Sequence, residues 1–449
     1  MTKLKIAVVG SGISGLSAAW LLGKRHDVTL IEADDRLGGH TNTVTADVDG
    51  QAIDIDTGFI CFNSVTYPNL IALFEHLDVP LHETSMSFSA SLAGGTYEYS
   101  GGTYSGMLAQ PSNAFRPGHW RMIRDILRFF KQAPADMATV TDSETIGEYL
   151  QARGYGVEFR DHHLIPMAAA IWSSGLGDML NYPARSFIRF FENHGLLQVS
   201  GRPKWGTVHG GSKQYIDKFL TDSPLQVVTG AGVDRLVRND SGVVLHTKDG
   251  VARPFDQVVI ATHADQALAI LEAPSYEEQK LLGSFSYSKN KALLHCDRSL
   301  MPKRKLAWAS WNYLDFRNNM NESPANEEDL CLTYWMNSLQ SLPTKENIFV
   351  TLNPPVDRPV GNVLANCDYT HPIFDATALK AQQSLWSLQG INRTWYCGAH
   401  FGAGFHEDGL QSGLAVAEQL GGVQRPWNVE NDSGRIFLAS DTQLREAAE

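Results

Sequence analysis

The 449-residue sequence has few cysteines, no long apolar run and no excess of positive charge. Its five cysteines are scattered, and no two of them form a Cys-x-x-Cys pair: Cys61, Cys296, Cys331, Cys367 and Cys397. This pattern argues against a disulfide framework and against a structural zinc site. No uncharged apolar stretch approaches the roughly 18 residues that a membrane-spanning helix requires, and the apolar run after Lys5 is too short for a signal peptide. We therefore expect a cytoplasmic protein.

The charge balance excludes a further class of function. Asp and Glu total 49 and Lys and Arg total 37, which leaves a formal net charge of −12. A general nucleic-acid binder needs a basic face that neutralises phosphates, so we expect no nucleic-acid partner. With 43% apolar and 19% charged residues, the chain can bury sizeable cores. At roughly 100–200 residues per domain, its length predicts two or three domains.

The strongest motif lies near the start of the chain. An apolar run at residues 5–9 predicts a strand buried on both faces, and it leads into a GxGxxG turn and an apolar helical pattern. Gly10 permits the tight turn, Gly12 lets the backbone approach a pyrophosphate, and Gly15 lets helix and strand pack closely. The helix start offers free N–H groups to phosphates. The next predicted strand ends at Glu32, which would accept hydrogen bonds from ribose hydroxyls, so these residues predict a dinucleotide site.

Two further motifs resemble those of one flavoprotein superfamily. The segment Arg36-Leu37-Gly38-Gly39 resembles the second signature of the amine oxidases, protoporphyrinogen oxidases and phytoene-type desaturases. The glycine-rich segment 404–413, followed by a predicted helix from Leu414, resembles the closing FAD motif of amine oxidases. The blocks 308–313, 333–337 and 404–409 are similar to a bacterial group of amine-oxidase-like FAD-dependent oxidoreductases.

The resemblance implies FAD as the cofactor and a set of residues that hold it. These cofactor-binding candidates are Gly10, Gly12, Ile13, Ser14, Gly15, Glu32, Ala33, Arg36, Gly38, Gly39, His40, Thr57, Gly58, Phe59, Val233, Gly398, Ala399, Asp408, Gly409 and Leu410. Two of them depart from the superfamily pattern. His40 stands where many members have a second Arg, and Ala399 stands where members commonly have an acid. No metal site is expected.

The resemblance also implies the fold. It is an α/β fold of the glutathione-reductase-like, amine-oxidase type, with a Rossmann-like FAD-binding domain, an inserted antiparallel β-meander and a second α+β substrate domain. The turns within residues 226–262 favour the meander. A hairpin is predicted at the Asp49-Gly50 turn, and a buried strand is predicted at 395–397. We predict a discontinuous FAD-binding domain from 1–85, 201–265 and 365–430, a substrate domain from 86–200 and 266–364, and a C-terminal tail at 431–449.

Four residues are candidates for the chemistry beside the flavin: Lys291, His400, Phe405 and His406. Amine oxidases often use a Lys, through a water, beside flavin N5. Lys291 lies on a predicted strand, however, and an exposed strand lysine is the alternative. His400 and His406 flank the closing motif and would either shuttle a proton or serve the structure alone. Phe405 aligns with a flavin-facing aromatic wall. Cys367 and Cys397 are either buried inert thiols or covalent links to the flavin.

The predicted substrate domain is rich in aromatic residues, which include Trp172, Phe187, Phe190, Phe191, Trp308, Trp311, Tyr313, Tyr334 and Trp335. An aromatic-lined cavity suits a hydrophobic substrate. Within residues 119–131, the apolar residues Trp120, Ile123, Leu127 and Phe130 recur at helical spacing among basic ones. Such a helix can lie on an anionic membrane surface, or it can pack its apolar face on the core.

We therefore predict a FAD-dependent oxidoreductase. Its substrate is expected to be small and hydrophobic, such as a lipid-derived unsaturated acyl or isoprenoid chain, which is dehydrogenated or isomerised by hydride transfer to flavin N5. Peripheral membrane contact through 119–131 is part of this hypothesis. One alternative is an amine oxidase that releases hydrogen peroxide, and another is a non-catalytic flavin-binding redox sensor.

Overall fold

The computed structural model describes residues 2–141, 143–173, 175–317 and 330–438. The strands are β1 (Lys5–Val9), β2 (Asp27–Ile31), β3 (Thr43–Val48), β4 (Gln51–Asp56), β5 (Phe62–Asn63), β6 (Leu81–Thr84), β7 (Phe88–Leu92), β8 (Tyr97–Ser100), β9 (Trp205–Val208), β10 (Gln226–Val228), β11 (Val233–Asn239), β12 (Gly242–Thr247), β13 (Ala252–Phe255), β14 (Gln257–Ile260), β15 (Ser286–His295), β16 (Trp311–Leu314), β17 (Cys331–Trp335), β18 (Phe349–Leu352), β19 (Val363–Ile373) and β20 (Thr394–Tyr396). The helices are α1 (Ile13–Gly23), α2 (Pro68–His76), α3 (Tyr104–Met107), α4 (Pro117–Asp136), α5 (Ile146–Ala152), α6 (Val157–Phe159), α7 (Ile165–Trp172), α8 (Leu176–Leu180), α9 (Ala184–Asn193), α10 (Lys213–Asp222), α11 (Ala264–Ile270), α12 (Tyr276–Leu282), α13 (Met336–Gln340), α14 (Ala376–Gln382) and α15 (His406–Gly421).

A five-stranded parallel sheet carries the N-terminal motif. Its strand order is β10-β2-β1-β14-β20, so the first and last segments of the chain meet in one sheet. After Lys5, every residue of β1 is buried, as expected for a strand covered on both faces. Every residue of α1 is buried as well, and α1 packs along α15. This arrangement brings the opening glycine turn beside the closing motif.

The predicted meander forms, but it is shorter than expected. Strands β11, β12 and β13 pair in antiparallel order, and the side chain of Asn239 accepts hydrogen bonds from the backbone N–H groups of Ser241 and Gly242 in the first turn. The prediction was wrong at both ends, because β10 and β14 belong to the parallel sheet instead. Most of β14 is buried, since it lies between two neighbouring strands.

A second, seven-stranded sheet has the order β19-β15-β18-β17-β16-β7-β8. Its pairs are antiparallel except for β16 with β7, which is parallel. Residues of helices α4 to α9 share one apolar cluster with β7 and β8 and cover this end of the sheet. Strand β19 pairs along its length with β15, from Ile373 opposite Ser286 to Val363 opposite His295. The domain boundary predicted at residue 365 therefore falls inside a strand of this sheet, and the other boundaries stay predictions.

Two small sheets complete the described structure. Strands β3 and β4 form the hairpin expected from its Asp49-Gly50 turn, where both residues have positive φ of 53° and 79°. Strands β5, β9 and β6 form the other sheet. Within the described ranges, no helix is long and apolar enough to cross a bilayer, and no group of His, Cys, Asp and Glu residues is arranged to hold a metal ion. Residues 439–449 of the predicted tail lie outside the described part of the chain.

Candidate flavin site

The candidate site lies at the carboxyl ends of the parallel strands, where ligands bind in open α/β sheets. Gly10 follows β1 with a φ of +97°, and a Cβ there would lie 3.0 Å from the carbonyl oxygen of Ala261, which follows β14. A Cβ on Gly15 would lie 1.9 Å from the carbonyl oxygen of Gly10. Both positions therefore require glycine for the protein's own packing. A Cβ on Gly12 would meet no atom within 4 Å, so the space in front of Gly12 is open to a ligand.

The second signature folds over this opening turn. The backbone N–H of Gly38 donates to the carbonyl oxygen of Ser11 at 3.1 Å, and a Cβ on Gly39 would lie 3.2 Å from the Cα of Gly12. The guanidinium of Arg36 donates to the carbonyl oxygen of Gly39 at 2.9 Å. Arg36 thus holds the double-glycine turn in place. The open space at Gly12 and this covering turn fit a bound pyrophosphate.

The ribose-binding candidate Glu32 is held by the same turn. Its carboxylate accepts hydrogen bonds from the backbone N–H of Ser11 at 2.8 Å and from the Ser11 hydroxyl at 2.5 Å. The entry to the meander lies alongside, because the N–H of Ala231 donates to the carbonyl oxygen of Glu32 at 2.9 Å. A Cβ on Gly232 would lie 3.3 Å from the side chain of Ala33. The predicted adenosine contacts, including the adjacent Val233, are therefore gathered in one place.

His40 lies in a cluster of histidines that the sequence did not reveal. Its ring centroid is 5.2 Å from that of His371 and 6.1 Å from that of His263. Its buried Nε2 atom has no hydrogen-bond partner among the described residues. Burial, followed by the repulsion of His371 and His263, holds the pKa of His40 well below its usual value. The ring is therefore neutral here, unlike the Arg that many superfamily members have at this position.

The turn after β4, which carries the cofactor-binding candidates Thr57, Gly58 and Phe59, is tightly bonded. Asp56 is fully buried, and burial raises its pKa to about 6 although Thr43 and Ser212 donate hydrogen bonds to it. The hydroxyl of Thr57 lies 2.7 Å from the hydroxyl of Tyr369. A Cβ on the next residue, Gly58, would lie 2.2 Å from the carbonyl oxygen of His40. A larger residue at Gly58 would therefore push this turn away from the second signature.

The closing motif forms the start of a helix. Helix α15 begins at His406, so the prediction that the helix begins at Leu414 was wrong by two turns. Gly409 and Leu410 lie inside it, and a Cβ on Gly409 would lie 2.9 Å from the side chain of Ile13. Asp408 accepts a hydrogen bond from the backbone N–H of Phe405 at 2.8 Å, which caps the helix start. The closing motif thus contacts the opening glycine turn and its helix closely at Gly409.

Gly413 extends this close approach, because a Cβ there would lie 2.2 Å from the carbonyl oxygen of Ser14. Gly398 lies two residues after the short strand β20 and is tied to the same helix, since its backbone N–H donates a hydrogen bond to the hydroxyl of Ser412 at 3.0 Å. Ala399 begins the short helical turn that follows. These residues therefore line the same edge of the sheet as the opening turn.

Two of the four chemistry candidates, Phe405 and His406, lie at the start of α15 and contact aromatic rings. Phe59 stacks on His406 at a centroid distance of 3.7 Å and an interplanar angle of 9°. The Nε2 atom of His406 lies 2.8 Å from the hydroxyl of Tyr215, and burial lowers the pKa of His406 to about 3. Phe405 stacks on Phe190 of α9 at 4.9 Å. The start of α15 therefore meets the helical layer of the second sheet through aromatic rings.

The other two candidates are placed differently. His400 is 4% exposed and packs against Phe285 and Phe401, and burial lowers its pKa to about 3. Lys291 lies on β15 with its side chain on the exposed face. Its neighbour Asn290 is buried and donates to the Nδ1 atom of His371 at 2.9 Å. The structure therefore does not bring Lys291 to the site, and Asn290 takes the inward position.

The sequence analysis missed Asn290, His263 and His371, although one signal was present. Alternation along β15 places residue 290 on the face opposite residues 289 and 291. The two cysteines considered as flavin links differ. Cys397 is fully buried, and burial raises the pKa of its thiol to about 12. Cys367 is partly exposed, with its Sγ atom 3.7 Å from the hydroxyl of Thr57.

Comparison with known proteins agrees with this geometry. A family model described as flavin containing amine oxidoreductase matches residues 13–346. The L-amino-acid oxidase of Pseudechis australis is 46% identical over 52 residues, which are 11% of this chain and 10% of that protein. That of Bungarus fasciatus is 47% identical over 51 residues, 11% of this chain and 10% of that protein. The chain thus matches about a tenth of the length of these curated relatives.

Solved structures are similar over most of the chain. Putrescine oxidase bound to putrescine has a TM-score of 0.65 and 15% identity, and the match covers 93% of this chain and 99% of that one. A CLA-producing fatty acid isomerase from P. acnes has a TM-score of 0.64 and 14% identity, and the match covers 93% of this chain and 98% of that one. At these identities the likeness concerns the fold, which is that of the FAD-dependent amine oxidases.

Proposed function

Since the chain belongs to the family of flavin-containing amine oxidoreductases, we propose that this FAD-dependent oxidoreductase dehydrogenates or isomerises a hydrophobic, lipid-derived substrate such as an unsaturated acyl or isoprenoid chain. When bound, FAD supplies the acceptor for a hydride at its N5 atom. The protein's part is to bind the substrate, to exclude water and to hold the reacting carbon in place. The observation that carries the proposal is the aromatic wall at the start of α15.

This aromatic wall consists of Phe405, Phe190, Trp172 and His194. The ring of Phe405 lies 4.9 Å from that of Phe190, 5.9 Å from that of His194 and 6.5 Å from that of Trp172. The ring of Trp172 in turn lies 4.5 Å from that of Phe190. Aromatic rings present a large apolar surface at low entropic cost, and a substrate that meets such a surface is favoured if it is an apolar chain and not a polar metabolite.

The ionisable groups around the aromatic wall offer little net charge. Burial lowers the pKa values of His194 and His406 to about 3, so both imidazoles are neutral at physiological pH. Asp408 is paired with Arg435, whose Nε lies 2.6 Å from its Oδ1 atom. Burial raises the pKa of Glu407, whose carboxylate accepts hydrogen bonds from the backbone of helix α2. A substrate without charge at its reacting carbon suits these surroundings.

His406 is a neutral hydrogen-bonding group beside the aromatic wall. It stacks on Phe59, and its Nε2 atom shares a hydrogen bond with the hydroxyl of Tyr215. Since burial lowers its pKa to about 3, protonation would leave an unpaired charge in an apolar site, and the ring offers a hydrogen bond without adding charge. The fold likeness to the fatty acid isomerase is consistent with a lipid substrate.

Anaerobic reduction of the bound flavin tests the proposal. The purified holoprotein is mixed with unsaturated fatty acids, phospholipids or isoprenoid alcohols, and the visible absorption of oxidised flavin is followed while the lipid is analysed by mass spectrometry. Dehydrogenation should bleach the flavin and remove two hydrogens from the lipid, whereas isomerisation should move a double bond and leave the flavin oxidised. Neither change with any lipid would refute the proposal.

A matched pair of variants tests the aromatic wall itself. Phe405→Ala should lower kcat/KM for the lipid by about tenfold or more, since it removes an aromatic contact and the apolar surface behind the substrate. Tyr276 is an aromatic residue that is 73% exposed, and Tyr276→Ala should leave the rate unchanged. Equal rates for wild type and Phe405→Ala would mean that the substrate lies elsewhere.

The family match and the likeness to putrescine oxidase favour an amine oxidase as the second candidate. Release of hydrogen peroxide with monoamines or polyamines, and none with lipids, would establish it. If no substrate class reduces the flavin and no lipid is isomerised, the result would favour a non-catalytic redox sensor.

A further inference from the structure

We propose that one end of the helical layer docks on an anionic lipid surface. The docking patch consists of six exposed apolar residues: Tyr104, Leu108, Phe115, Trp120, Leu127 and Leu306. The proposal names the place where a lipid-derived substrate would be met, and to that extent it rests on the proposed function. The surface itself is argued from exposure, packing and charge.

The docking patch contains the most exposed aromatic residues of the described chain. Tyr104 is 93% exposed and Phe115 is 88% exposed, and Leu306 follows at 66%. Trp120 and Leu127 are each 51% exposed. Single exposed apolar residues are common on protein surfaces, but a group of them with two protruding rings marks an interaction site.

Helix α4 shows that this apolar surface is additional to the core. The residues of α4 that pack inward are Met122, Ile126, Phe129 and Ala133. The apolar set recognised in the sequence is a different stripe, of which Trp120 and Leu127 are exposed and Ile123 and Phe130 are half-buried. The alternative that this stripe packs on the core is therefore wrong for its two exposed members. Helix α4 therefore has one apolar face that packs on the protein core and a second apolar face that is exposed and available to a partner.

The segments that carry the docking patch are fastened to one buried residue. The carboxylate of Glu98, which is fully buried in β8, accepts hydrogen bonds from the backbone N–H of Lys303 at 2.7 Å and from the guanidinium of Arg304 at 2.9 Å. The side chain of Asn113 donates to the carbonyl oxygen of Glu98 at 2.9 Å. The loops before Phe115 and Leu306 are thus built into the fold. These hydrogen bonds hold the docking patch in a fixed place on the fold.

Helix α4 is joined to the same surface. The indole N–H of Trp120 donates to the carbonyl oxygen of Ala114 at 2.9 Å, which ties this side chain to the segment that carries Phe115. Helix α3, which begins at Tyr104, contacts the short helical turn Lys305–Ala307. The aromatic tips of three separate segments therefore share one end of the molecule.

Basic residues surround the docking patch although the whole chain is acidic. Arg124 is 66% exposed at its side chain, and Lys131, Lys303 and Lys305 are exposed as well. Arg121 is about half exposed and pairs with Glu158. Asp125 of α4 is fully buried and pairs with Arg124, whose Nη2 atom lies 3.0 Å from its Oδ1 atom, so Lys131, Lys303 and Lys305 supply the rest of the positive rim.

This local excess of positive charge contrasts with the formal net charge of −12. An anionic bilayer attracts such a rim and repels the rest of the surface, which orients the molecule. Aromatic rings anchor in the interface between head groups and acyl chains. Nucleic acid would use the cations but not the protruding Phe115 and Leu306, so the combination favours lipid.

Vesicle co-sedimentation of the full-length holoprotein tests the proposal. Wild type should sediment with vesicles of equal parts phosphatidylcholine and phosphatidylglycerol, and bind phosphatidylcholine alone much more weakly. Binding should fall at about 1 M salt, because exposed charges are then screened within a few ångströms. The double variant Phe115→Ser/Trp120→Ser should bind the anionic vesicles at least about tenfold more weakly, since each side chain contributes a large apolar area on insertion. Arg124→Glu/Lys131→Glu should weaken binding at low salt only.

A matched control uses apolar residues that are equally exposed elsewhere. Tyr276 and Val356 are 73% and 105% exposed, and Tyr276→Ser/Val356→Ser should bind vesicles like wild type. The flavin absorption and circular dichroism of every variant report whether it is folded. No preference for anionic vesicles, or equal binding by Phe115→Ser/Trp120→Ser and wild type, would overturn the proposal. A dimer that becomes a monomer in that variant, without vesicle binding, would assign the patch to a second copy instead.

The failure of this proposal is separable from that of the proposed function. Vesicle binding is measured without turnover, so it stands even where no lipid is oxidised. Turnover of a short-chain, water-soluble substrate should be the same in Phe115→Ser/Trp120→Ser as in wild type. Loss of that turnover as well would show that the patch serves the catalytic domain's structure, which would overturn the docking role.

Discussion

Gly12 and Gly15 belong to one glycine-rich turn, but the structure assigns them different tasks. A Cβ on Gly12 would meet nothing within 4 Å, and its φ of −62° is open to any residue. A Cβ on Gly15 would lie 1.9 Å from a backbone oxygen. Alanine at Gly12 should therefore leave folding nearly intact and weaken FAD, whereas alanine at Gly15 should damage the fold itself.

The magnitudes follow from these surroundings. Gly12 is the N-cap of α1 without a capping side chain, so Gly12→Ala should cost about 1 kcal/mol or less in the free energy of unfolding of the apoprotein. Its methyl group occupies the approach of the pyrophosphate, and the FAD affinity should fall by at least about tenfold, or about 1.4 kcal/mol. Gly15→Ala should cost about 1–3 kcal/mol of folding free energy through overpacking.

The assay compares three alanine variants. Gly177 also has no atom within 4 Å of an added Cβ, but it lies in α8, away from the parallel sheet, so Gly177→Ala is the control. Urea unfolding of each apoprotein gives stability, and titration with FAD gives the dissociation constant. Wild-type affinity in Gly12→Ala would refute the placement of the pyrophosphate at this turn. An unchanged stability in Gly15→Ala would refute the packing argument.

Three further outcomes are expected. Glu32→Ala should weaken FAD binding by about 1–3 kcal/mol in the same titration, because a charge-assisted hydrogen bond to the ribose is lost; an unchanged affinity would place the ribose elsewhere. Arg435→Ala should lower the free energy of unfolding by about 3–5 kcal/mol, since it leaves the buried carboxylate of Asp408 unpaired; a loss under 1 kcal/mol in urea unfolding would contradict a buried pair. Burial lowers the pKa of His406 to about 3 in the folded state, whereas the unfolded imidazole titrates near 6.5. The unfolded state therefore binds the proton first as the pH falls, so the free energy of unfolding should decrease from about pH 6.5 downward, by up to about 1.4 kcal/mol per pH unit for one proton. Urea unfolding curves at several pH values should show a smaller decrease in His406→Gln than in wild type. The same decrease in both proteins would contradict a buried neutral ring.

Local sequence was sufficient for the cofactor motifs. The strand, the GxGxxG turn and the helix are consecutive in the chain. Each glycine is needed for a turn or a close backbone approach that involves residues nearby in the sequence. The same holds for the Asp49-Gly50 hairpin turn, whose positive φ angles follow from residue type. Such features depend on backbone conformation and burial along one short segment, which periodicity and turn residues report directly.

Local sequence was not sufficient where partners are distant. Strand β14 pairs with β1, some 250 residues away along the chain, by a register from Ile6 opposite Gln257 to Val9 opposite Ile260. A run of apolar residues predicts a strand but does not say which sheet it joins. Helix α15 shows the same limit, because its first turns contain Gly409, and glycine there is explained by contact with α1.

The order of residues thus determined the strand, the glycine turn and the helix that predict a dinucleotide site, through the spacing of Gly10, Gly12, Gly15 and Glu32. Only the tertiary structure decided that His40, His263 and His371 share one cluster, that Asn290 and not Lys291 faces inward, and that α4 keeps a second apolar face. The physical reason is that these contacts join strands, helices and loops far apart in the chain. Their free energy comes from packing and burial between elements, and the sequence of one segment does not reveal which other segment it will pack against.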